Sequence, residues 1–332
     1  MTTSDSITAV IPVHNRADLL AQLLDSISAQ TRLFAQVIVV DNASSDDAAA
    51  LARARGCTVI PQAENLGFAR AVNAGWRAAS PGNRWIAILN SDVTLDPAWL
   101  ERLMNGAAEA SFATGTIFNA TDREAIDGTY DLLSRSGCAW RAGHGERNPP
   151  PARQSAIAMA PATACLFRRD VLERLSGFDE AFGSYLEDVD LGLRCVQEGS
   201  AGVYVPDAIA WHHGGATLGR WNSRVVRLTS RNQLLLIQRH YDRDLFRACF
   251  WPIVTGQILW GLVALRHGAA LAWLAGKIDA LRKFHLEGRP SPRLRAFLAD
   301  SEQEIRERAR DPYWRWYFRL TAAGASRPGG AH

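Results

Sequence analysis

The sequence predicts an α/β protein, with a mostly parallel sheet flanked by helices and a helical appendage after it. Three observations carry this. Residues 7–60 alternate apolar strand runs with amphipathic helices in the order β-α-β-α-β, the signature of parallel strands joined by right-handed crossovers. Runs such as Trp85–Leu89 are apolar without a break, as in strands buried on both faces. Beyond residue 220 the alternation gives way to helical spacing and a different charge.

Residues 7–13 (ITAVIPV) read as the first strand, closed by Pro12, with His14-Asn15-Arg16 at its C-terminal end. Leu19, Leu20, Leu23, Leu24 and Ile27 then form one helical stripe. Val37–Val40 is a second buried strand, ending in Asp41-Asn42-Ala43-Ser44-Ser45-Asp46. A helix over 46–55 and a short strand Thr58–Ile60 follow. The polar loops after strands one and two lie at the edge where open α/β sheets bind ligands. Neither G-x-G-x-x-G after strand one nor G-x-x-x-x-G-K-[ST] occurs, which excludes a standard dinucleotide fingerprint and a P-loop. A bound phosphate would then be held by a metal, by Arg or by helix N-termini.

Residues 65–79 predict a helix on which Arg70 and Asn73, three apart, share a face. They are either solvated or turned to a ligand, Arg70 to a diphosphate and Asn73 to a ribose or phosphate. Strand 85–90 ends in Asn90-Ser91-Asp92. Asp92 either starts a turn or caps the helix from Pro97 to about Ala108, or it is a carboxylate for a hard divalent cation. Residues 111–118 predict a strand, 120–153 a mobile excursion, and 162–169 a return to the sheet. Glu187 and Asp188 open a helix ended by Gly199, where the helix dipole favours acids even without function. Ala201–Val205 reads as a last strand closed by Pro206, and the Trp211-His212-His213 loop after it as a metal cue or plain loop.

The net charge of +3 hides an asymmetry: residues 1–219 sum to −8, 220–295 to +10 and 296–332 to +1. A basic segment suits nucleic acid or anionic lipid. The apolar run Ala248–Leu265 inside it favours an anionic membrane surface and no nucleic acid. That run is at the lower edge for a spanning helix. Pro252, Gly256 and Gly261 weaken it, so the expectation is an interfacial helical hairpin with Trp251, Trp260 and Trp273 at headgroup depth. The alternative is an ordinary helix packed on the main domain. The five scattered Cys fit reduced thiols in the cytoplasm, and the polar N-terminus is not a secretory signal.

The motifs I-P-V-H-N-R, V-V-D-N-A-S-S-D, E-N-L-G-F-A-R-A-V-N, L-N-S-D-V, G-F-D-E, Y-L-E-D-V-D-L and W-H, in this order, resemble the family 2 glycosyltransferases of the GT-A fold, a Rossmann-like architecture. The resemblance is nearest to a rhamnosyltransferase-like branch acting in surface polysaccharide assembly, and it covers residues 7–232. It implies an inverting transfer of a sugar from a dTDP- or UDP-linked donor, with dTDP-L-rhamnose favoured, to a polyprenyl-linked saccharide or polysaccharide at the inner face of the cytoplasmic membrane. Pro12, His14, Arg16, Asp41 and Asn42 would meet base and ribose, and Arg70, Asn73, Asn90, Ser91 and Asp92 the rest of the donor. The family's D-x-D carboxylates chelate Mg²⁺ or Mn²⁺. Here Asn90 replaces the first, leaving Asp92 as a ligand, completed by His212 with His213 in reserve. Asp188 would be the catalytic base, with Asp179 and Glu187 on the acceptor side. The domain expectation is a transferase domain over 1–220 (nucleotide half about 1–95, acceptor half about 96–220), a membrane-associating helical region over 221–320 and a disordered tail over 321–332. Other readings are a nucleotidyl-transferring enzyme on a similar sheet and a non-catalytic membrane-associated scaffold.

Overall fold

The computed structural model describes residues 6–147, 153–214 and 221–325. The chain divides into two compact units, Met1–Asp131 with Gly143–Thr217, and Leu132–Ala142 with Leu218–His332. The second unit therefore includes an internal segment of the stretch 1–220.

In chain order the first elements are β1 (Ile7–Val13), α1 (Ala17–Ser28), β2 (Gln36–Asp41), α2 (Ala48–Ala54), β3 (Thr58–Pro61), α3 (Phe68–Ala78), β4 (Trp85–Leu89) and β5 (Val93–Leu95). Then come α4 (Trp99–Ala107), β6 (Phe112–Asn119), β7 (Ile126–Gly128), β8 (Asp131–Leu133), β9 (Ala139–Arg141), β10 (Ser155–Ile157), β11 (Ala164–Arg168), α5 (Arg169–Arg174), α6 (Glu187–Glu198) and β12 (Gly202–His212). The main sheet runs β10-β12-β6-β11-β4-β1-β2-β3, with β5 on β12 and β7 on β6. Strands β4, β1, β2 and β3 are mutually parallel, whereas β11 is antiparallel to both β4 and β6.

The unbroken apolar runs have the expected cause. Strand side chains alternate between faces. Ile7, Ala9, Ile11 and Val13 of β1 enter one core with Trp85, Ala87 and Leu89 of β4. Val10, Ile86 and Ile88 enter a second core on the opposite face, beneath α3. Both faces are covered, so polarity is confined to the strand ends.

Two expectations are corrected. The excursion expected to be mobile carries β7, β8 and β9, and its short apolar patches bury Ile126, Leu133 and Trp140. Residues 148–152 lie outside the described residues. Strand β12 also does not stop at Pro206. A register shift between Val205 and Ile209 lifts the proline out of the ladder, and pairing with β6 resumes through His212. His212 is thus held on a strand end and not in a loop.

The second unit contains the hairpin β8–β9 and α7 (Ser223–His240), α8 (Arg243–Ala248), α9 (Phe250–Arg266), α10 (Ala270–Leu281), α11 (Pro292–Arg308) and α12 (Pro312–Ala325). The first residues of the expected disordered tail are helical, and 326–332 lie outside the described residues. The hairpin is tied in by Leu133 N–H to Ser301 Oγ at 2.8 Å and Gln257 Nε2 to the Ser136 carbonyl at 2.8 Å. Lys277 Nζ, buried on α10, donates to Ser230 O (2.7 Å) and Gln233 Oε1 (3.0 Å) of α7 and to Gln257 Oε1 of α9. It joins three helices at one point.

Burial holds the Lys277 pKa down to about 7, from 10.5. Between those values the unfolded chain binds the proton and the folded unit does not, so stability rises with pH across this window, and the penalty is fully present below about pH 7. Urea unfolding followed from pH 7 to 10 should show this rise. The rise should be flattened in Lys277→Met.

Candidate active site

Because β1, β2 and β4 are parallel, their carboxyl ends meet at one edge. The loops after β1 and β2 are stitched together there. His14 Nδ1 lies 2.9 Å from the Asn42 carbonyl, Asn15 N–H donates to Ser44 Oγ at 2.8 Å, and Asp41 Oδ1 accepts from Ser44 N–H at 2.9 Å. Pro12 is buried within β1 opposite Val40. Arg16 is paired with Asp18 at 2.8 Å. That hydrogen bond raises the Arg16 pKa, and the charge of Asp92 adds to the shift, which places the guanidinium within electrostatic reach of Asp92.

The loop leaving β4 turns through Asn90-Ser91-Asp92 into β5, whose Val93 pairs with His212 of β12. This pairing brings Asp92 and His212 together across about 120 residues of chain. Asp92 Oδ1 stands 3.2 Å from His212 Nε2, and His213 N–H donates to the Asp92 carbonyl at 3.0 Å. The other imidazole nitrogen, Nδ1, lies 2.8 Å from Asp127 Oδ2. Asp127 is the extra residue where the β6–β7 register shifts, and such a bulge re-aims its side chain. Burial pulls the His212 pKa down, but hydrogen bonds to Asp127 and Asp92 and the charges behind them outweigh it and raise it to about 9.

Two ligands about 2.1 Å from one ion stand about 3 Å apart, close to the separation of Asp92 Oδ1 and His212 Nε2. An ion here would replace the Nε2 proton that now faces Asp92, with Nδ1 on Asp127 orienting the ring. Among the described residues no cluster of three His, Cys, Asp or Glu converges for a metal. Two protein ligands would leave the rest of an ion's shell to substrate oxygens, as Mg²⁺ commonly does. Asn90 contributes a neutral amide.

Asp188 reaches the same edge from the other direction. Asn90 N–H donates to the Thr163 carbonyl at 2.9 Å, and Asp188 Oδ2 accepts from the neighbouring Ala162 N–H at 3.1 Å. Glu187 opens α6 and is buried, and Asp179 caps a 3₁₀ turn by accepting from Ala181 N–H at 2.9 Å. Tyr185 and Leu186, just before Asp188, have φ of 72° and 67°. Asn15, Arg16 and Ala43 in the other two loops are also left-handed. Such conformations cost non-glycine residues of order 1–3 kcal/mol and collect at functional sites.

The helical pair Arg70 and Asn73 is engaged with Glu180 and the Phe178 backbone. Asn73 is buried. Its Oδ1 accepts from Phe178 N–H (2.9 Å) and Trp76 Nε1 (3.0 Å), and its Nδ2 donates to Phe178 O (2.8 Å) and Glu180 Oε1 (3.1 Å). That exhausts the donors and matches the acceptor lone pairs of an amide, leaving no capacity for a ribose or phosphate. Arg70 Nε is bound to Glu180 at 2.8 Å. Asn42, expected on the donor, spends its amide on the same region, accepting from Leu66 N–H at 3.1 Å and donating to Asn65 Oδ1 at 3.1 Å. Gly67 completes the contact: at φ +91° a Cβ there would lie 2.7 Å from the Gly183 carbonyl. This motif clamps the loop that leads into α6 and Asp188.

Sequence reasoning missed Asp127, because it lies in the segment read as a mobile excursion. The available signal was Ile126-Asp127-Gly128, an acid between an apolar residue and a glycine in an edge-strand pattern. Asn73→Ala should lower stability by roughly 2–3 kcal/mol in urea unfolding, since it strands the buried partners of one amide. Asp127→Ala should lower the His212 pKa by about one unit or more, read from its ¹H–¹⁵N NMR titration.

The profile of Glycosyl transferase family 2 matches residues 8–176. The N-acetylglucosaminyl-diphospho-decaprenol L-rhamnosyltransferase of Mycobacterium tuberculosis is 27% identical over 243 residues, covering 65% of this chain and 79% of that protein. The pre-mycofactocin glycosyltransferase of the same organism is 29% identical over 283 residues, covering 83% of this chain and 56% of the relative. Among solved structures, the mannosyltransferase PcManGT from Pyrobaculum calidifontis, in complex with GDP-Man and Mn²⁺, aligns with a TM-score of 0.51 at 18% identity over 98% of this chain and 87% of that one. GalNAc-T7 with UDP, GalNAc and Mn²⁺ aligns with a TM-score of 0.59 at 12% identity over 88% of this chain and 60% of that one. With its mostly parallel sheet and the site at the sheet's carboxyl edge, the chain belongs to glycosyl transferase family 2, on the GT-A fold and with a rhamnosyltransferase-like sequence.

Proposed function

We propose that the protein transfers a sugar, with inversion, from a nucleoside-diphosphate donor to a hydroxyl of a polyprenyl-linked saccharide in cell-surface glycan synthesis. The observation that carries this reading is the convergence of Asp92 and His212 at 3.2 Å on the edge where Asp188 is also anchored. The 27% identity to a decaprenol-linked rhamnosyltransferase supports L-rhamnose, and hence dTDP, as the donor class ahead of a UDP-sugar. The nucleotide half is residues 1–95 and the acceptor half 96–220, apart from the internal hairpin. The protein works in the cytoplasm at the inner face of an anionic membrane, where a polyprenyl acceptor would be presented.

Asp92 and His212 would hold Mg²⁺ or Mn²⁺, which supplies charge neutralisation to the leaving diphosphate. Arg16, close enough to sense Asp92, adds positive charge on the same side. The loops after β1 and β2 carry the base and ribose contacts, from His14, Arg16 and Asp41. Asp188, fixed by Ala162 N–H, takes the proton of the acceptor hydroxyl as that oxygen bonds to the anomeric carbon. The bond from that carbon to the diphosphate oxygen breaks, and its electron pair leaves with the diphosphate. One base on the face opposite the leaving group yields inversion. No second carboxylate is needed, because the diphosphate leaves unprotonated.

Asp188→Asn should retain nucleotide binding in calorimetry and lose about 10²–10⁴-fold in turnover. The donor is to be chosen by screening dTDP- and UDP-sugars. Unchanged turnover in a purified Asp188→Asn protein would refute the base.

A further inference from the structure

Of the thirteen large apolar side chains exposed among the described residues, eleven belong to the helical unit. Their spacing is regular. Trp251, Ile258, Leu262 and Leu265 follow at intervals of seven, four and three along α9, and Leu271, Leu274, Ile278 and Leu281 at three, four and three along α10. These are single helical stripes. The two helices are closely packed, since a Cβ at Gly261 would lie 2.8 Å from the Trp273 ring. Trp251 Nε1 donates to the Leu320 carbonyl at 3.3 Å, so α12 adds the exposed Trp316 and Leu320. The opposite sides of α9 and α10 are already used, by Ile253, Gly256, Gln257 and Ala264 and by Gly276 and Lys277. Each helix buries one side and shows an apolar stripe on another, the reverse of an ordinary surface helix.

The charge around this face selects its occupant. From Phe246 to Leu286 the sole acid is Asp279, and it is bound to Arg227 at 2.6 Å. Arg266, Arg282 and Lys283 stand exposed at the helix ends, and Arg247 stands beside Asp244. Two copies meeting here would oppose cationic rims, which is unfavourable. An anionic leaflet would neutralise them. Among the described residues no helix is long and apolar enough to cross a membrane, so the helices would lie in its plane.

We propose that the α9–α10 hairpin is an in-plane membrane anchor. Its two stripes enter the acyl boundary of an anionic leaflet, and Arg266, Arg282 and Lys283 meet the lipid phosphates. This rests on the membrane location given above and names the face that achieves it.

The full chain is to be sedimented with phosphatidylcholine vesicles, with and without phosphatidylglycerol. The wild type should pellet with the anionic vesicles. The double variant Leu262→Gln/Leu271→Gln, whose side chains are 55% and 84% exposed, should bind them at least tenfold less while its thermal unfolding is unchanged. The triple variant Arg266→Gln/Arg282→Gln/Lys283→Gln should lose the preference for phosphatidylglycerol. Equal binding by wild type and double variant would refute the face and leave the membrane location standing. A wild type that pellets with neither vesicle would refute both. Self-association in ultracentrifugation that the double variant abolishes would assign the face to a second copy and overturn the proposal. The base assignment at Asp188 is tested separately, on a water-soluble acceptor.

Discussion

Covering a parallel sheet on both faces forces its chemistry to the strand ends. Ile86, Ala87, Ile88 and Leu89 have no room for a polar group, because odd and even residues each enter a dry core. The first position free of that constraint is Asn90, and the first acid Asp92. The same rule places His14 after β1 and Asp41 at the end of β2. Antiparallel pairing of β5 with β12 then supplies what the parallel strands cannot, an imidazole from late in the chain set against an early carboxylate.

The site also depends on a contact that carries no ligand. One amide, Asn73, uses three hydrogen bonds to fasten Phe178 and Glu180 to α3, and Gly67 lets Gly183 approach. The loop so fastened runs directly into Tyr185-Leu186 and the start of α6. Left-handed residues persist in such a loop because the surrounding hydrogen bonds over-determine it. Holding Asp188 still is therefore partly the work of residues on another helix.

Much of this was legible in the sequence. The strand runs, the crossovers, the polar loop after β4 and the acidic opening of α6 all follow from periodicity and turn chemistry. Asp92 and His212 were readable singly as candidates from their loops and as partners only through the family resemblance, and strand pairing shows how they meet. The Arg70–Asn73 pair was ambiguous for a physical reason: a polar pair on one helix face suits a bound phosphate and an interlocking loop equally well. Pro206 misled because proline normally ends a strand, and a bulge that excuses it has no local signature. Asp127 was hidden because its strand is three residues long.

The hairpin Leu132–Ala142 has a consequence for how the chain is made. Its Leu133, Cys138 and Trp140 are met by Ser301, Gln257 and Arg308, on helices encoded more than a hundred residues later. During translation this segment emerges long before Ser301 and Glu302, the residues that satisfy its backbone. It must wait, with its apolar side chains uncovered, until those helices have been made. A shortened gene ending near residue 220 would leave it without a partner for good, so the transferase unit cannot be isolated simply by trimming the C-terminus.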